Sequence, residues 1–395
     1  MFEIIEKDSF EDAGTIIKVM GIGGGGGNAV DHMIREGVNG VEFIVANTDA
    51  QALKRNIAGS KIQLGKSGLG AGAKPEAGKT AAQEDRERIA DHLRGAHMVF
   101  LTAGMGGGTG TGAAPVIAEI ARELGILTVA VVTKPFAFEG KRMKVAEVGI
   151  AELQKHVDSL IVILNDKLME VLGEDVSMSE AFEAANNVLR NAVGGIAEII
   201  NFPGLVNVDF EDVRTVMSEM GVAMMGSSYA SGVDRARIAA EQAVASPLLE
   251  GINLSGAKGV LVNITATRNL KMREVNEVMA TVRAFAAEDA HIIFGAVYDD
   301  AMGDDIRVTV VATGLGHSQV KRQPLTVIDR PILQATGTDH AQPSDIDSGY
   351  TQYDTPTVIR GRGARSLAAG VTAEALSNSG VDRFDIPAFL RRQAD

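Results

Sequence analysis

Residues 102–115, TAGMGGGTGTGAAP, place six glycines in fourteen positions directly behind the apolar run HMVFL. A chain gives up side chains at the end of a buried strand where its backbone must come close to something. Glycine lets amide groups approach an anion with no Cβ in the way. The following AAPVIAEIARELG reads as a helix, so the glycines form a strand-to-helix turn whose dipole favours an anion by about 0.3–1 kcal/mol. The lysine of a P-loop is missing from this turn. Amides, the Thr109 and Thr111 hydroxyls and a cation have to take the place of its charge.

Two further glycine segments constrain the fold in the same way. GIGGGGGN, residues 21–28, follows the run IIKVMGI and fits the dinucleotide pattern with Gly21, Gly23 and Gly26; Asp49 lies 23 residues beyond, where a ribose-binding acid would sit. Alone, this segment suits a nicotinamide or flavin enzyme. A tight turn without ligand is the plainer alternative, but five consecutive glycines weaken a helix start far beyond what a turn requires. GLGAGAKPEAG, residues 68–78, is the third segment, at another strand end. Three convergent glycine loops mean a polyphosphate site.

From Thr15 to about Asn165 short apolar runs alternate with helical patterns. IIKVMGI, VEFIVAN, HMVFLTA, ILTVAVV and SLIVIL each have the length and branching of a strand buried on both faces. NAVDHMIREG and EAGKTAAQEDRERIADHLRG read as helices between them. The alternation predicts an α/β fold, a parallel sheet with right-handed crossovers and its ligand at the carboxyl ends of the strands. Ser177–Asn201 is predicted as one long central helix, opened by a capping box of Ser177 and Glu180. It is apolar on most sides, which predicts burial between two layers.

GVLVNITAT, AHIIFGAVYD and IRVTVVAT then read as strands of a second, smaller α+β domain, with helices near Val233–Ala245 and Lys271–Ala287. The segment DDAMGDD reads as a turn between the last two strands and predicts antiparallel pairing. Polar sequence without periodicity follows Gly316 and predicts a disordered linker. The expected organisation is an N-terminal arm (1–14), a nucleotide-binding domain (15–176), the central helix (177–201), an α+β domain (202–316), the linker (317–382) and a terminal peptide (383–395).

Composition narrows the function. With 45% hydrophobic residues in 395 the chain can build a large core, and a body of about 300 residues buries roughly 75% of its unfolded surface. A net charge of -13 argues against a general nucleic-acid binder. The absence of cysteine excludes disulfides and thiolate metal sites and fits a reducing compartment. The opening MFEIIEKDSFEDAG is acidic and lacks the order of a secretion signal. No apolar run approaches the roughly 20 residues of a membrane span. The expectation is a soluble, cytoplasmic protein without direct membrane insertion.

GGGTGTG is the signature of the tubulin superfamily, and GIGGGGGNAV with NTDAQAL resembles its FtsZ branch, the bacterial cell-division GTPases. The resemblance runs from about Thr15 to Gly316 and resumes in DIPAFLRRQAD. It implies GTP and GDP as ligands and hydrolysis coupled to head-to-tail assembly into filaments of the mid-cell division ring. Magnesium is expected at the β- and γ-phosphates near Asn47 or Asp49, with potassium a candidate second cation; the metal ligands are unknown. Phosphate contacts are implied for Gly23, Gly24, Gly25, Gly26 and Asn28 in the first loop and for Ala71, Gly72 and Ala73 in the third. In the second loop they are Gly104, Gly106, Gly107, Gly108, Thr109, Gly110, Thr111 and Gly112.

By the same resemblance guanine is read from the long helix, with Phe182 stacking on the base and Asn186 bonding its edge; four residues apart, they share a helix face. An aromatic at helical spacing also suits a core. Asn187 stands where many relatives carry Asp. Glu139 and Arg142 match the ribose contacts, with Pro135 and Asn165 completing the pocket. The family's Arg usually sits four residues after the Glu and here sits three, which turns the side chain by about 100° if the stretch is helical.

NVDFEDV, residues 207–213, matches the loop that reaches the γ-phosphate of the next subunit, with Asp212 on the attacking water, Asp209 in support and Asn207 beside them. Read as a bare sequence, the same acids are an N-cap and dipole partners of a helix. The terminal Phe384–Asp395 is implied to dock on membrane-tethering division proteins, and a flexible linker of 66 residues would span about 45 Å r.m.s.. Other division regulators are further partners. Two alternatives stay open: a monomeric dinucleotide oxidoreductase, and a nucleotide-sensing scaffold that polymerises without turnover.

Overall fold

Strand β1 (Ile17–Ile22) is buried along almost its whole length and runs straight into helix α1 (Gly23–Arg35). The computed structural model describes residues 14–315 except 174, 202–205, 207, 220, 247–256 and 288, together with the side chain of 171. Most of the N-terminal arm, Asn207, the linker and the terminal peptide therefore lie outside the described residues. The glycine run is not a loop ahead of the helix, as the sequence suggested; Gly23–Gly27 are its first residues. The reason is steric: a Cβ on Gly26 would lie 2.2 Å from the carbonyl oxygen of Thr102, so this end of the helix packs backbone against backbone.

The chain continues through β2 (Glu42–Asn47), α2 (Ala50–Arg55), β3 (Ser60–Gln63), α3 (Pro75–Glu84), α4 (Arg86–Leu93), β4 (Met98–Gly104), α5 (Thr109–Glu123), β5 (Leu127–Lys134), α6 (Lys141–Leu153), β6 (Ser159–Leu164) and α7 (Asn165–Leu172). The six strands are all parallel, in the order β3-β2-β1-β4-β5-β6. Side chains alternate across the sheet. Met98 and Phe100 face one apolar layer, shared with α1 and the central helix, while Val99 and Leu101 face another, shared with α4 and α5. The stretch predicted as a single helix over 76–95 breaks at Asp85 into α3 and α4. Asp85 accepts the backbone N–H of Gly65 at 2.6 Å and an Arg88 guanidinium at 2.8 Å, which ties the break to the end of β3.

The central helix α8 (Met178–Asn201) opens on the expected capping box. Glu180 accepts the Ser177 N–H at 2.9 Å, and Ser177 Oγ accepts the Glu180 N–H at 3.2 Å. The Ser177 hydroxyl, with its amide, holds the Glu180 carboxyl below the usual range. Ala185, Leu189, Ala192 and Ile196 are buried. α8 packs against α1 and β5 of the first half and against two strands of the second.

The second half comprises α9 (Phe210–Met217), β7 (Gly221–Ala230), α10 (Arg235–Val244), β8 (Gly259–Ala266), α11 (Met272–Phe285), β9 (His291–Tyr298) and β10 (Ile306–Leu315). β7 was not legible in the sequence. This half contains antiparallel pairing, as expected, but the last two strands do not pair with each other: the sheet order is β7-β10-β8-β9, with β10 antiparallel to both β7 and β8 and β9 parallel to β8. The reason is burial. β10 is buried at every position, with Ile306, Val308, Val310 and Ala312 in the apolar layer and Arg307, Thr309 and Thr313 on the other face hydrogen-bonded, so it takes an interior place, and the segment 299–305 crosses the end of β8 to deliver it. The two halves share one ten-stranded sheet, joined where Ser159–Ile161 of β6 pair with Gly221–Ala223 of β7. Among the described residues no helix is long and apolar enough to cross a membrane.

Candidate nucleotide site

All three glycine segments meet at the carboxyl ends of β1, β2 and β4. A Cβ on Gly23 would lie 2.9 Å from the amide of Gly110, one on Gly25 3.1 Å from Gly104 Cα, and one on Gly108 2.8 Å from Ala71 Cβ. Gly112 is the tightest: its Cβ would fall 1.9 Å from the carbonyl oxygen of Pro75. Gly26 and Gly112 thus serve backbone packing beneath the loops. The third segment is stitched to the end of β2 by Ala50 N–H to Gly68 O and Gly70 N–H to Thr48 O, both at 3.0 Å. Its tip is a tight turn closed by Lys74 N–H to Ala71 O at 3.1 Å. Gly72 and Ala73 both take positive φ there, 57° and 56°, and Ala73 is the one non-glycine residue so strained among the described residues.

The threonines depart from expectation. Thr111 is buried and its Oγ1 accepts the Gly106 N–H at 2.8 Å; the hydroxyl braces the loop. Thr109 Oγ1 lies 2.6 Å from Thr48 Oγ1. Asn47 is 4% exposed and accepts the Asp49 N–H. Asp49 caps α2, taking the N–H groups of Gln51 at 2.8 Å and Ala52 at 3.3 Å. A carboxylate oriented onto a helix end is not poised for a ribose, which removes the main support for a dinucleotide enzyme. Among the described residues no cluster of His, Asp and Glu could cage a metal ion.

Beside the loops opens a cleft of about 870 Å³ lined by ten of the residues expected there: Gly24, Gly25, Asn28, Gly104, Pro135, Glu139, Arg142, Asn165, Phe182 and Asn186. Gly23, Gly26, Asn47, Ala71, Gly72, Ala73 and the run Gly106, Gly107, Gly108, Thr109, Gly110, Thr111, Gly112 do not line it; Gly23, Gly26, Asn47, Gly106, Gly108, Gly110, Thr111 and Gly112 are buried beneath the loop surface. Phe182 is 44% exposed, so it is no core residue. Its ring stands nearly perpendicular to that of Phe136 at 5.5 Å and lines the cleft, where a planar group can meet it. Asn165 is 4% exposed and its Oδ1 finds no partner. A buried acceptor left unpaired at the wall of a cleft is what a ligand donor satisfies.

Glu139 Oε1 accepts the Phe136 N–H at 3.0 Å and its Oε2 accepts from Arg142 at 2.5 Å. The rotation expected from the shortened spacing does not apply. Glu139 ends a short 3-10 turn, Gly140 breaks it at φ 53°, and α6 begins afterwards. Asn187 points its Oδ1 to His32 Nε2 at 2.7 Å and lies outside the cleft lining. His32 and Arg35, which do line it, were missed; with Asn28 they recur at four and three residues, a helical face the sequence displays.

The acid loop lies elsewhere. Asp209 is the N-cap of α9, and its Oδ1 accepts the Asp212 N–H at 2.8 Å. Asp212 and Glu211 occupy the exposed first turn, and Asn207 is outside the described residues. The ring of Phe210 meets His97 at 6.1 Å. His97 immediately precedes β4, whose other end, Gly104, carries the second glycine loop. The acids and the cleft therefore lie at opposite ends of one strand, roughly 20 Å apart at the rise of an extended chain.

A model of the Tubulin/FtsZ family GTPase domain matches residues 16–173, and one of the FtsZ family C-terminal domain matches 221–316. The Cell division protein FtsZ of Azotobacter vinelandii is 54% identical over 404 aligned residues, covering all of both chains. That of Pseudomonas aeruginosa is 53% identical over 402, again covering both in full. The solved FtsZ dimer of M. jannaschii superposes with a TM-score of 0.74 at 44% identity, over 77% of this chain and 89% of that one. CetZ2 from Haloferax volcanii, in a GTPγS-bound protofilament, gives 0.64 at 20% identity over 77% and 95%, a likeness of fold alone.

Proposed function

Because this chain belongs to the FtsZ family of tubulin-like GTPases, we propose that it hydrolyses GTP only between two stacked copies, in filaments of the cytoplasmic division ring at mid-cell. The chain is a GTPase that binds GTP and GDP and assembles with itself. The observation that carries the proposal is the separation of the acid loop from the cleft along β4. One copy cannot bring Asp212 to its own nucleotide. A head-to-tail neighbour can, and a heterologous contact of that kind builds open filaments.

In this reading guanine stacks on Phe182 while Asn186 and the unpaired Asn165 oxygen meet its polar edge. Glu139, Arg142 and Pro135 hold the ribose. Amides of Gly23–Gly25 and Gly107–Gly110 hold the phosphates, with the Ala71–Ala73 turn at the terminal one. Asp212 of the adjoining copy polarises the attacking water and Asp209 supports it, with Asn207 at the same loop. Magnesium, and potassium where present, would neutralise charge on the phosphates, and Asn47 and Asp49 are the side chains expected nearby. Phe384–Asp395 is the docking peptide for membrane-tethering division proteins.

Sedimentation and phosphate release, run in parallel with GTP, GDP, ATP and NAD over a range of protein concentrations, test the proposal. GTP alone should support both sedimentation and phosphate release, with turnover per subunit rising as filaments form. Full turnover by dilute, unassociated protein would overturn it. Filaments without phosphate release would favour the scaffold reading.

A further inference from the structure

We infer that His97 is a positioning residue for hydrolysis, holding Phe210 and through it the acid pair of α9. The inference rests on the reading that Asp209 and Asp212 serve the next subunit. His97 is anchored in the sheet on two sides: its N–H donates to Ile16 O at 2.9 Å and its carbonyl accepts from Leu127 at 3.1 Å. The ring is fixed as well. Its Nδ1 accepts the Ile16 N–H at 3.0 Å, so the neutral ring carries its proton on Nε2. Held in this way, it meets Phe210 at an interplanar angle of 66°.

Phe210 is the first residue of α9, between the cap Asp209 and the acid Asp212. Farther along, Val213, Val216 and Met217 are fully buried and fix the helix axis. In the first turn Asp209, Glu211 and Asp212 are all exposed, so Phe210 is its apolar anchor. His97 is the one aromatic ring against Phe210 among the described residues. A helix end frays readily, and displacing it moves the carboxylates relative to the neighbour's terminal phosphate. His97 touches no reacting atom; it sets where the acids stand.

The test uses the full-length chain with His97→Ala, His97→Gln and His97→Phe, and Asp212→Ala as reference. GTP affinity, sedimented filament and phosphate release per polymerised subunit are measured for each. His97→Ala and His97→Gln should lose about tenfold in release per polymerised subunit, the scale of a small misplacement, with GTP affinity and filament mass preserved. His97→Gln offers an acceptor to Ile16 but has no ring. His97→Phe, which keeps the edge contact, should retain about half the normal rate or more. A merely structural role would lower filament mass and leave the rate per polymerised subunit unchanged. Normal rates in His97→Ala, or a His97→Phe as poor as His97→Ala, would overturn the inference. If Asp212→Ala also turns over normally, the reading of the acid loop itself has failed; if Asp212→Ala is inactive and His97→Ala is normal, only the role of His97 has.

Discussion

The side chain of Asp209 and the backbone of Asp212 form one unit: Oδ1 of the first accepts the N–H of the second at 2.8 Å, closing the first turn of α9. The plainer reading of the acids as a helix cap is therefore real, and it leaves the Asp212 carboxylate unused. Asp209→Asn keeps the cap, while Asp209→Ala should cost about 1 kcal/mol in a denaturant melt. Asp212→Ala loses only a carboxylate. It should bind GTP near normally and release phosphate about a hundredfold more slowly within filaments; equal rates per polymerised subunit would rule Asp212 out.

Asn165 gives a prediction with two parts. Its Oδ1 is buried and unpaired, so without ligand it contributes a penalty, and Asn165→Ala removes the penalty with the amide. The nucleotide-free protein should melt within a few degrees of the parent, while affinity for GDP falls by about tenfold, the equivalent of 1.4 kcal/mol. Titration with GDP decides the point; unchanged affinity would mean that this oxygen does not face the nucleotide.

Gly24 and Gly112 separate binding from packing. A Cβ on Gly24 meets nothing within 4 Å, whereas one on Gly112 meets Pro75 O at 1.9 Å. Gly112→Ala must push α3 off α5 and should cost about 3 kcal/mol or more. Gly24→Ala should leave the melting temperature within about 2 °C and weaken GTP binding, because its methyl group enters the cleft. Thermal melts with and without GTP distinguish the two outcomes.

Arg235 and Glu274 predict an acid limit. Arg235 is 5% exposed and grips both oxygens of Glu274, Nε to Oε1 at 2.7 Å and Nη2 to Oε2 at 3.2 Å. The guanidinium hydrogen bond holds the Glu274 carboxyl below its usual range. The folded value lies below the unfolded one, so this stability is present in full above the ordinary Glu range, about pH 4.3, and is lost as pH falls through the folded value. Glu274→Gln should cost about 3 kcal/mol at neutral pH, since it leaves Arg235 buried and uncompensated. Urea melts of parent and variant should converge in acid; a constant gap from pH 3 to pH 7 would disprove the linkage.

What could be read in advance divides by physical cause. Strands buried on both faces announce themselves: SLIVIL is β6 to the residue, and HMVFLTA is β4 within one. β7 escaped because GVAMMGSSYA is poor in β-branched residues and earns its place by pairing with β10 and β6, partners that no local pattern reveals. The antiparallel pairing of this half was legible but its partners were not: DDAMGDD has turn chemistry, but only the competition for interior positions tells that β10 inserts between β7 and β8. In the cleft, residue types and loops were legible, while hydrogen-bond commitments were not. Asp49 and Thr111 looked available for a ligand and are instead engaged with their own backbone.

The interior place of β10 has a mechanical consequence. Its last described residue, Leu315, precedes the segment leading to the terminal peptide. A tug on that peptide loads a strand laddered on both flanks, so the ladders must slide in shear together rather than peel open one pair at a time. Optical-trap extension from residue 395 should therefore need higher rupture force than extension from an attachment on the edge strand β9, and a lower force would count against it. Load applied through the chain beyond Leu315 thus enters the sheet at an interior strand and not at its edge.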